Sequence, residues 1–254
     1  MSQSESRAAT AREATRSHET RIEIAAPIEV VWKALTEASE IARWFAPNIK
    51  VEPGAGGTFL ADWGPGIEWK TAIEVWEPNR HLRLAETREQ PEPCRLLQDY
   101  FLEAEGGKMV LRLVHSGFGT SAEWDNEYEG TRGGWPVCFF RLKHGLEHHR
   151  GESIHNIILT SIGHGIDTAR AHELIESARP EPYEPALNAP TERAGILPEL
   201  NGSIFSYSVQ PCPGGTMAYV QFLFFGLSDA KAASIQKEWS DKMARMFPAE
   251  TPSR

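Results

Sequence analysis

The sequence predicts an α+β fold: a curved antiparallel sheet closed by a long C-terminal helix, then a shortened, degenerate second copy. Three observations predict it. The chain opens on one alternating stretch and two short helical stretches. Alternating runs joined by turn residues then fill 58–116, and an amphipathic run follows over 133–150. After residue 152 the same order returns in shorter form.

Residues 1–17 offer almost nothing to bury and are expected to form a disordered tail. Order is expected near Glu19, with 20–25 (T-R-I-E-I-A) alternating as a strand. Pro27 pre-sets a helix on which Val30, Val31, Ala34 and Leu35 share a face. Ile41, Trp44 and Phe45 mark a second short helix, and Pro47 stops it.

Strands are expected at 58–63, 68–76, 81–87, 96–104 and 109–116. Alternation puts Trp69, Thr71, Ile73 and Val75 on one face, with Lys70, Glu74 and Trp76 on the other. Glu105-Gly106-Gly107-Lys108 is a hairpin signal. It joins two strands whose inner faces read Leu96, Gln98, Tyr100, Leu102 and Met109, Leu111, Leu113, His115. Gly133-Gly134 and Trp135-Pro136 then open the closing helix, with Val137, Phe140, Leu142 and Leu146 as its apolar residues.

In the second half, 156–161 reads as a strand and 167–177 as a helix. The prolines of 179–198 mark a linker or irregular arm. Strands at 203–210 and 217–226 flank a turn, and 229–247 is a helix capped by Ser228 or Asp229. Its apolar face is Ile235, Trp239, Met243 and Met246. The middle strands of the first half are expected to lack counterparts.

Composition narrows the function classes. The 254 residues are 41% hydrophobic and 24% charged, which excludes disorder throughout, collagen and coiled coil. A net charge of −9 repels phosphate backbones, so nucleic acid is not an expected partner. The apolar run 218–227 is interrupted by Gln221 and falls short of the roughly 20 residues of a membrane span. Cys94, Cys138 and Cys212 form no CxxC pair, and no apolar signal segment opens the chain, so the expected location is cytoplasmic.

Val31-Trp32-Lys33-Ala34-Leu35-Thr36, followed by Ile41-Ala42-Arg43-Trp44-Phe45, resembles the opening of the AHSA family. These are the homologues of the heat-shock protein 90 ATPase activator, within the START-like (SRPBCC) superfamily. Val114-His115-Ser116-Gly117-Phe118 is similar to that family's last-strand motif, and Gly134-Trp135 to the opening of its closing helix. The resemblance covers 18–151 and implies a helix-grip fold with a cavity for a hydrophobic small molecule. It implies no reaction. Residues 152–254 are expected to form a degenerate, shortened START-like region that packs against the first half or mediates homodimerisation.

The expected ligand-binding residues are Trp69, Thr71, Ile73, Gln98, Tyr100, Leu113, His115 and Trp135. Trp32, Trp44, Trp63 and Trp124 complete a tryptophan-rich first half, and the resemblance makes Trp32 and Trp44 structural. His115 sits among apolar neighbours, where an imidazole needs a hydrogen-bond partner. The functional readings are ligand orientation or general-base work; the structural one is a hydrogen bond near the helix. A catalytic version pairs His115 with a carboxylate, Asp62 or Asp99, on an aromatic or polyketide-like substrate. A third reading is a chaperone-associated interaction protein.

Other motifs fail. His144 and His148 share a helix face, yet no HExxH pattern and no third ligand accompany them. Gly54-Ala55-Gly56-Gly57 lacks the third glycine of a dinucleotide fingerprint. Ser116 and Ser203 lack a nucleophile elbow. No metal, cofactor or catalytic set is assigned. The leading expectation is non-catalytic binding of a hydrophobic or aromatic small molecule between sheet and helix.

Overall fold

The computed structural model describes residues 15–64, 67–89, 93–105, 108–189 and 192–248. Most of the expected tail, 1–14, and the two hairpin glycines Gly106 and Gly107 lie outside them. The first half runs β1 (Arg16–Ile24), α1 (Ile28–Thr36), α2 (Ala38–Ile41), β2 (Asn48–Val51), β3 (Thr58–Asp62), β4 (Glu68–Glu77), β5 (His81–Arg88), β6 (Cys94–Glu105), β7 (Lys108–Phe118) and α3 (Asp125–His148). The second runs β8 (Ile154–His164), α4 (Thr168–Ala178), β9 (Glu184–Asn188), β10 (Glu192–Leu197), β11 (Ser203–Cys212), β12 (Gly215–Phe225) and α5 (Asp229–Met246).

Among the described residues, one antiparallel sheet has the order β1-β7-β6-β5-β4-β3-β2 and the other β8-β12-β11-β10-β9. The two orders superpose if β8, β12, β11, β10 and β9 stand for β1, β7, β6, β5 and β4. The second half is thus a helix-grip unit shortened by the two strands at one edge. Among the described residues, 179–189 and 192–198 carry two strands rather than an irregular arm, and Pro190 lies outside them. Pro185 lies on edge strand β9, where a missing N–H breaks no ladder in the middle of a sheet. Two of the middle strands therefore do have counterparts.

Three details differ from expectation in the first half. β1 begins at Arg16, three residues before Glu19. A bulge between Ile73 and Val75 reverses the alternation, so Trp76 faces inward and meets Trp32 edge-on at 5.3 Å. Helix α3 begins at Asp125 and carries Gly130, Gly133, Gly134 and Pro136 in its interior. Glycine and proline read as boundaries because both weaken a helix. Here tertiary packing on both sides overrides them.

Helix α3 lies between the two sheets. Trp135, Phe139, Leu142 and Leu146, at helical spacing, are buried against the first sheet with α1 and α2. Phe140, on the opposite side, packs against Ile204, Leu223 and Phe225 on the back of the second sheet. The front of that sheet buries Phe205, Tyr207, Phe222 and Phe224 under α4 and α5. Each such side chain contributes about 1.5–3 kcal/mol by burial. Asp167 caps α4 by accepting from the Arg170 N–H at 2.8 Å, and Ser228 caps α5 through Lys231.

Polar side chains lock the halves together. Gln221, fully buried on β12, donates to the carbonyl of Phe45 at 3.2 Å and to Asn156 at 2.7 Å. Asn156 donates to Ala42 O at 2.9 Å, and Arg43 donates to the carbonyls of Glu152 and His149. The bonds to Ala42 and Phe45 satisfy carbonyls left open after the short helix α2, and those from Arg43 satisfy carbonyls after α3. No helix among the described residues is long and apolar enough to cross a membrane.

Candidate functional site

A cavity of about 440 Å³ separates the first sheet and α3 from the back of the second sheet. Its apolar wall is Phe45, Trp63, Trp69, Leu96, Trp135 and Met217. Phe45 and Trp135 lie with their ring planes 8° apart at 5.8 Å, and Trp63 meets Phe45 edge-on at 5.0 Å. These rings are anchored. Trp135 is held by α3, Phe45 by the turn after α2, and the Trp69 indole donates to Glu86 at 2.9 Å. Anchored aromatics make a firm apolar surface of the sort that takes small molecules.

Helix α3 presents Gly130, Gly134 and Cys138 to the cavity, one turn apart. Gly134 lies close to the second half: a Cβ there would come within 3.1 Å of a Glu192 carboxyl oxygen, which would have to shift by a few tenths of an ångström. The helix interior gives up side-chain volume where the cavity needs it.

Two charged groups edge the space. Arg88 holds Glu86 through two of its nitrogens and Glu127 through a third, at 2.6–3.0 Å, tying β5 to the first turn of α3. Burial opposes the Arg88 charge, but the hydrogen bonds and charges of Glu86 and Glu127 raise its pKa above the ordinary value. At the other end Arg141 donates to Glu192 at 3.2 Å and to Ser206 at 2.7 Å. Burial pushes the Glu192 carboxyl up to about 7, against the pull of Arg141. Tyr219 stands in the same wall, its phenol raised above the ordinary value by burial.

His115 is almost wholly buried, on a row of paired strand positions running His18, His115, Gln98, Leu84. Its Nδ1 accepts from the Trp135 indole at 3.2 Å, so the neutral ring carries its proton on Nε2. Burial pulls its pKa down to about 3, helped by His18 and Arg88. Asp99 accepts from His81 at 2.6 Å and from Arg83 at 2.7 Å, and Asp62 accepts from the Gly64 N–H. Neither carboxylate is paired with His115.

The structure brings Trp69, Gln98, His115 and Trp135 to the cavity wall. Thr71, Ile73, Tyr100 and Leu113 instead lie buried in the core beside it. The reason is the pair of short helices: Trp44 and Phe45 fill the concave face over Ile73 and Tyr100. The Tyr100 hydroxyl donates to Gln98 at 2.8 Å, so it positions a lining residue. Trp32 packs on Trp76, and the Trp44 indole donates to Ala34 O at 2.9 Å. His144 donates from Nε2 to Gly202 O at 2.8 Å across the seam between halves. No metal-holding cluster of three His, Cys, Asp or Glu occurs among the described residues.

Sequence reasoning missed Glu86, Arg88, Glu127, Arg141, Glu192 and Tyr219 as cavity residues. One signal was available: three glycines within five positions of an amphipathic stretch. The second-half residues gave none, because their contribution depends on how the halves dock.

Residues 25–147 match the sequence model of the family described as Activator of Hsp90 ATPase homolog 1-like protein. Residues 25–147 thus carry the AHSA family's sequence pattern. Solved structures similar to the chain include a protein from Mesorhizobium loti, 25% identical, covering 51% of this chain and 95% of its own, with a TM-score of 0.45. The solution structure of the Aha1 dimer from Colwellia psychrerythraea is 21% identical, covers 54% of this chain and 99% of its own, and has a TM-score of 0.46. The DynU16 crystal structure, a putative protein in the dynemicin biosynthetic locus, is 15% identical and covers 90% of this chain and 96% of its own, with a TM-score of 0.45. No curated protein matches the chain. The first half supplies the aromatic wall and α3, and the second half supplies the wall opposite.

Proposed function

We propose that this chain binds a hydrophobic or aromatic small molecule in the cavity between its first half and its second half, without catalysis. The observation that carries the reading is the cavity itself: about 440 Å³, walled on one side by anchored aromatic rings, with polar and charged side chains around the rest. Burying the ligand's apolar surface supplies the affinity, at roughly 25 cal/mol per Å² before the costs of association. Gln98 and His115 orient it.

The catalytic alternative required a carboxylate partner for His115, and Asp62 and Asp99 have other partners. With its pKa pulled down to about 3, the ring is a weak base at neutral pH. Both facts favour binding over proton transfer.

The test is a fluorescence titration with N-phenyl-1-naphthylamine, a neutral apolar probe. The reading expects a saturable rise with one probe per chain. Gly130→Leu, which sends a side chain into the cavity, should abolish it. A wild-type protein that gives no saturable rise would sink the proposal.

A further inference from the structure

Most polar groups in the cavity wall are already spent. Every nitrogen of Arg88 is bonded to Glu86 or Glu127. Arg141 is bonded through its terminal nitrogens to Glu192, Ser206 and the Cys138 sulfur, and its Nε is sealed inside the protein. The indole N–H of Trp69 goes to Glu86 and that of Trp135 to His115, whose own Nε2 is sealed. Gln98 differs. It lies on the inner face of β6, is 6% exposed and lines the cavity. Its Oε1 accepts from the Tyr100 hydroxyl at 2.8 Å. Its amide nitrogen has no hydrogen-bond partner among the described residues, yet it is not one of the unpartnered polar atoms closed off by burial. The surface it keeps is cavity surface.

A nearly buried amide N–H₂ left unmade asks for an acceptor. The rest of the wall limits which one. Glu86, Glu127 and Glu192 face the cavity beside two arginines already bonded to them, so an anionic group finds no free cation to offset its desolvation. A hydroxyl that accepts from the amide brings a proton of its own to place, and the Gln98 oxygen is already held by Tyr100. A ketone oxygen only accepts and carries no charge. The two residues beside the amide, Tyr100 and the strand-paired His115, both meet Trp135, one edge-on at 5.9 Å and the other through the indole N–H. Donor and aromatic wall stand side by side, so a carbonyl attached to an aromatic ring system reaches both.

We propose that Gln98 is the hydrogen-bond donor to the ligand, so that the cavity takes neutral aromatic ketones. The inference rests on the cavity being a binding site. The ketone oxygen accepts from the Gln98 Nε2–H, and the rings lie against Phe45, Trp69 and Trp135. Tyr100 is a positioning residue: its hydroxyl holds the amide oxygen and so presents the amide nitrogen to the cavity.

The experiment is calorimetric titration of the full chain with 2-acetylnaphthalene, 2-isopropenylnaphthalene and 2-naphthoate at neutral pH. The first two share a shape and differ by a ketone oxygen against a CH₂ group. The expected order puts the ketone about tenfold tighter than the alkene, the effect of one buried hydrogen bond, and 2-naphthoate weakest. Combining Gln98→Met with Tyr100→Phe removes the donor and the hydroxyl that holds it, leaving neither unpaired. In that variant the alkene should bind as before, and the ketone's advantage should fall toward one. Gln98→Met alone is expected to do the same and stands in if the pair fails to fold. Equal binding of ketone and alkene by the wild type overturns the donor site while leaving the cavity reading standing. Tightest binding of 2-naphthoate overturns it in favour of an anion site. A ketone preference that survives the loss of Gln98 overturns the assignment to this residue. Binding of none of the three overturns the cavity reading and this inference together.

Discussion

The indole N–H of Trp135 donates to Nδ1 of His115 across 3.2 Å, joining helix α3 to strand β7 inside the first half. That single bond fixes which ring nitrogen carries the proton. It also holds two of the cavity's lining residues in one orientation. Replacing Trp135 with Phe removes the donor and should cost about 1–2 kcal/mol in urea unfolding, with the fold kept.

Acid should destabilise the protein through the same histidine. The His115 pKa is pulled down to about 3 by burial, His18 and Arg88, and that of His18 to about 4 by burial and Arg132. Both folded values lie below the unfolded one, so the unfolded chain takes up protons first as pH falls below 6.5. Stability is full above that pH and drops by about 1.4 kcal/mol per pH unit for each histidine on the way down. Glu192 acts in the opposite sense: its carboxyl, raised to about 7 by burial, holds a proton in the folded state that the unfolded chain has released. Urea midpoints between pH 7.5 and 5 should therefore flatten in His115→Gln and steepen in Glu192→Gln.

Gly130 faces open space, its nearest would-be neighbour being the Gln210 amide at 3.9 Å. Gly130→Ala should raise stability by up to about 1 kcal/mol, since alanine is the better helix former and nothing clashes. Gly130→Leu should keep the fold and lose probe binding. Thermal melting and the fluorescence titration read the two effects separately.

Gln221 is fully buried and bonds to Phe45 O and Asn156 across the seam between halves. Gln221→Leu leaves that carbonyl in an apolar setting without its donor and should cost about 1–3 kcal/mol. Deleting 152–254 goes further and bares the side of α3 around Phe140. That truncation should aggregate or melt earlier; a truncation as soluble and stable as the full chain would refute the packing argument.

Cys138 lines the cavity, and burial pushes its thiol up to about 12 despite the nearby Arg141. Thiol reagents attack the thiolate. A disulfide reagent at pH 7.5 should modify Cys138 at least about tenfold more slowly than Cys212, and bound N-phenyl-1-naphthylamine should slow it again. Mass mapping of the labelled peptides checks both.

Much of this was legible in the sequence because alternation and helical spacing are local. They placed Gln98 and His115 on the inner face and Val31 and Leu35 in the core. Local signals also misled where packing overrode them. Gly133, Gly134 and Pro136 read as a helix start, yet α3 runs straight through them. The prolines near Pro185 read as a linker, yet an edge strand tolerates one. Thr71, Ile73, Tyr100 and Leu113 share the inner face with true lining residues. Alternation gives the face, not what covers it, and here Trp44 and Phe45 cover it. Glu192 was beyond reach, because it meets Arg141 only after the second sheet docks on α3.

The most direct measurement is a crystal structure of the full chain soaked with 2-naphthol. The account predicts the naphthalene rings in the cavity between the two halves, against Trp69 and Trp135. A cavity left empty at saturating probe, or a probe bound elsewhere on the chain, would contradict it.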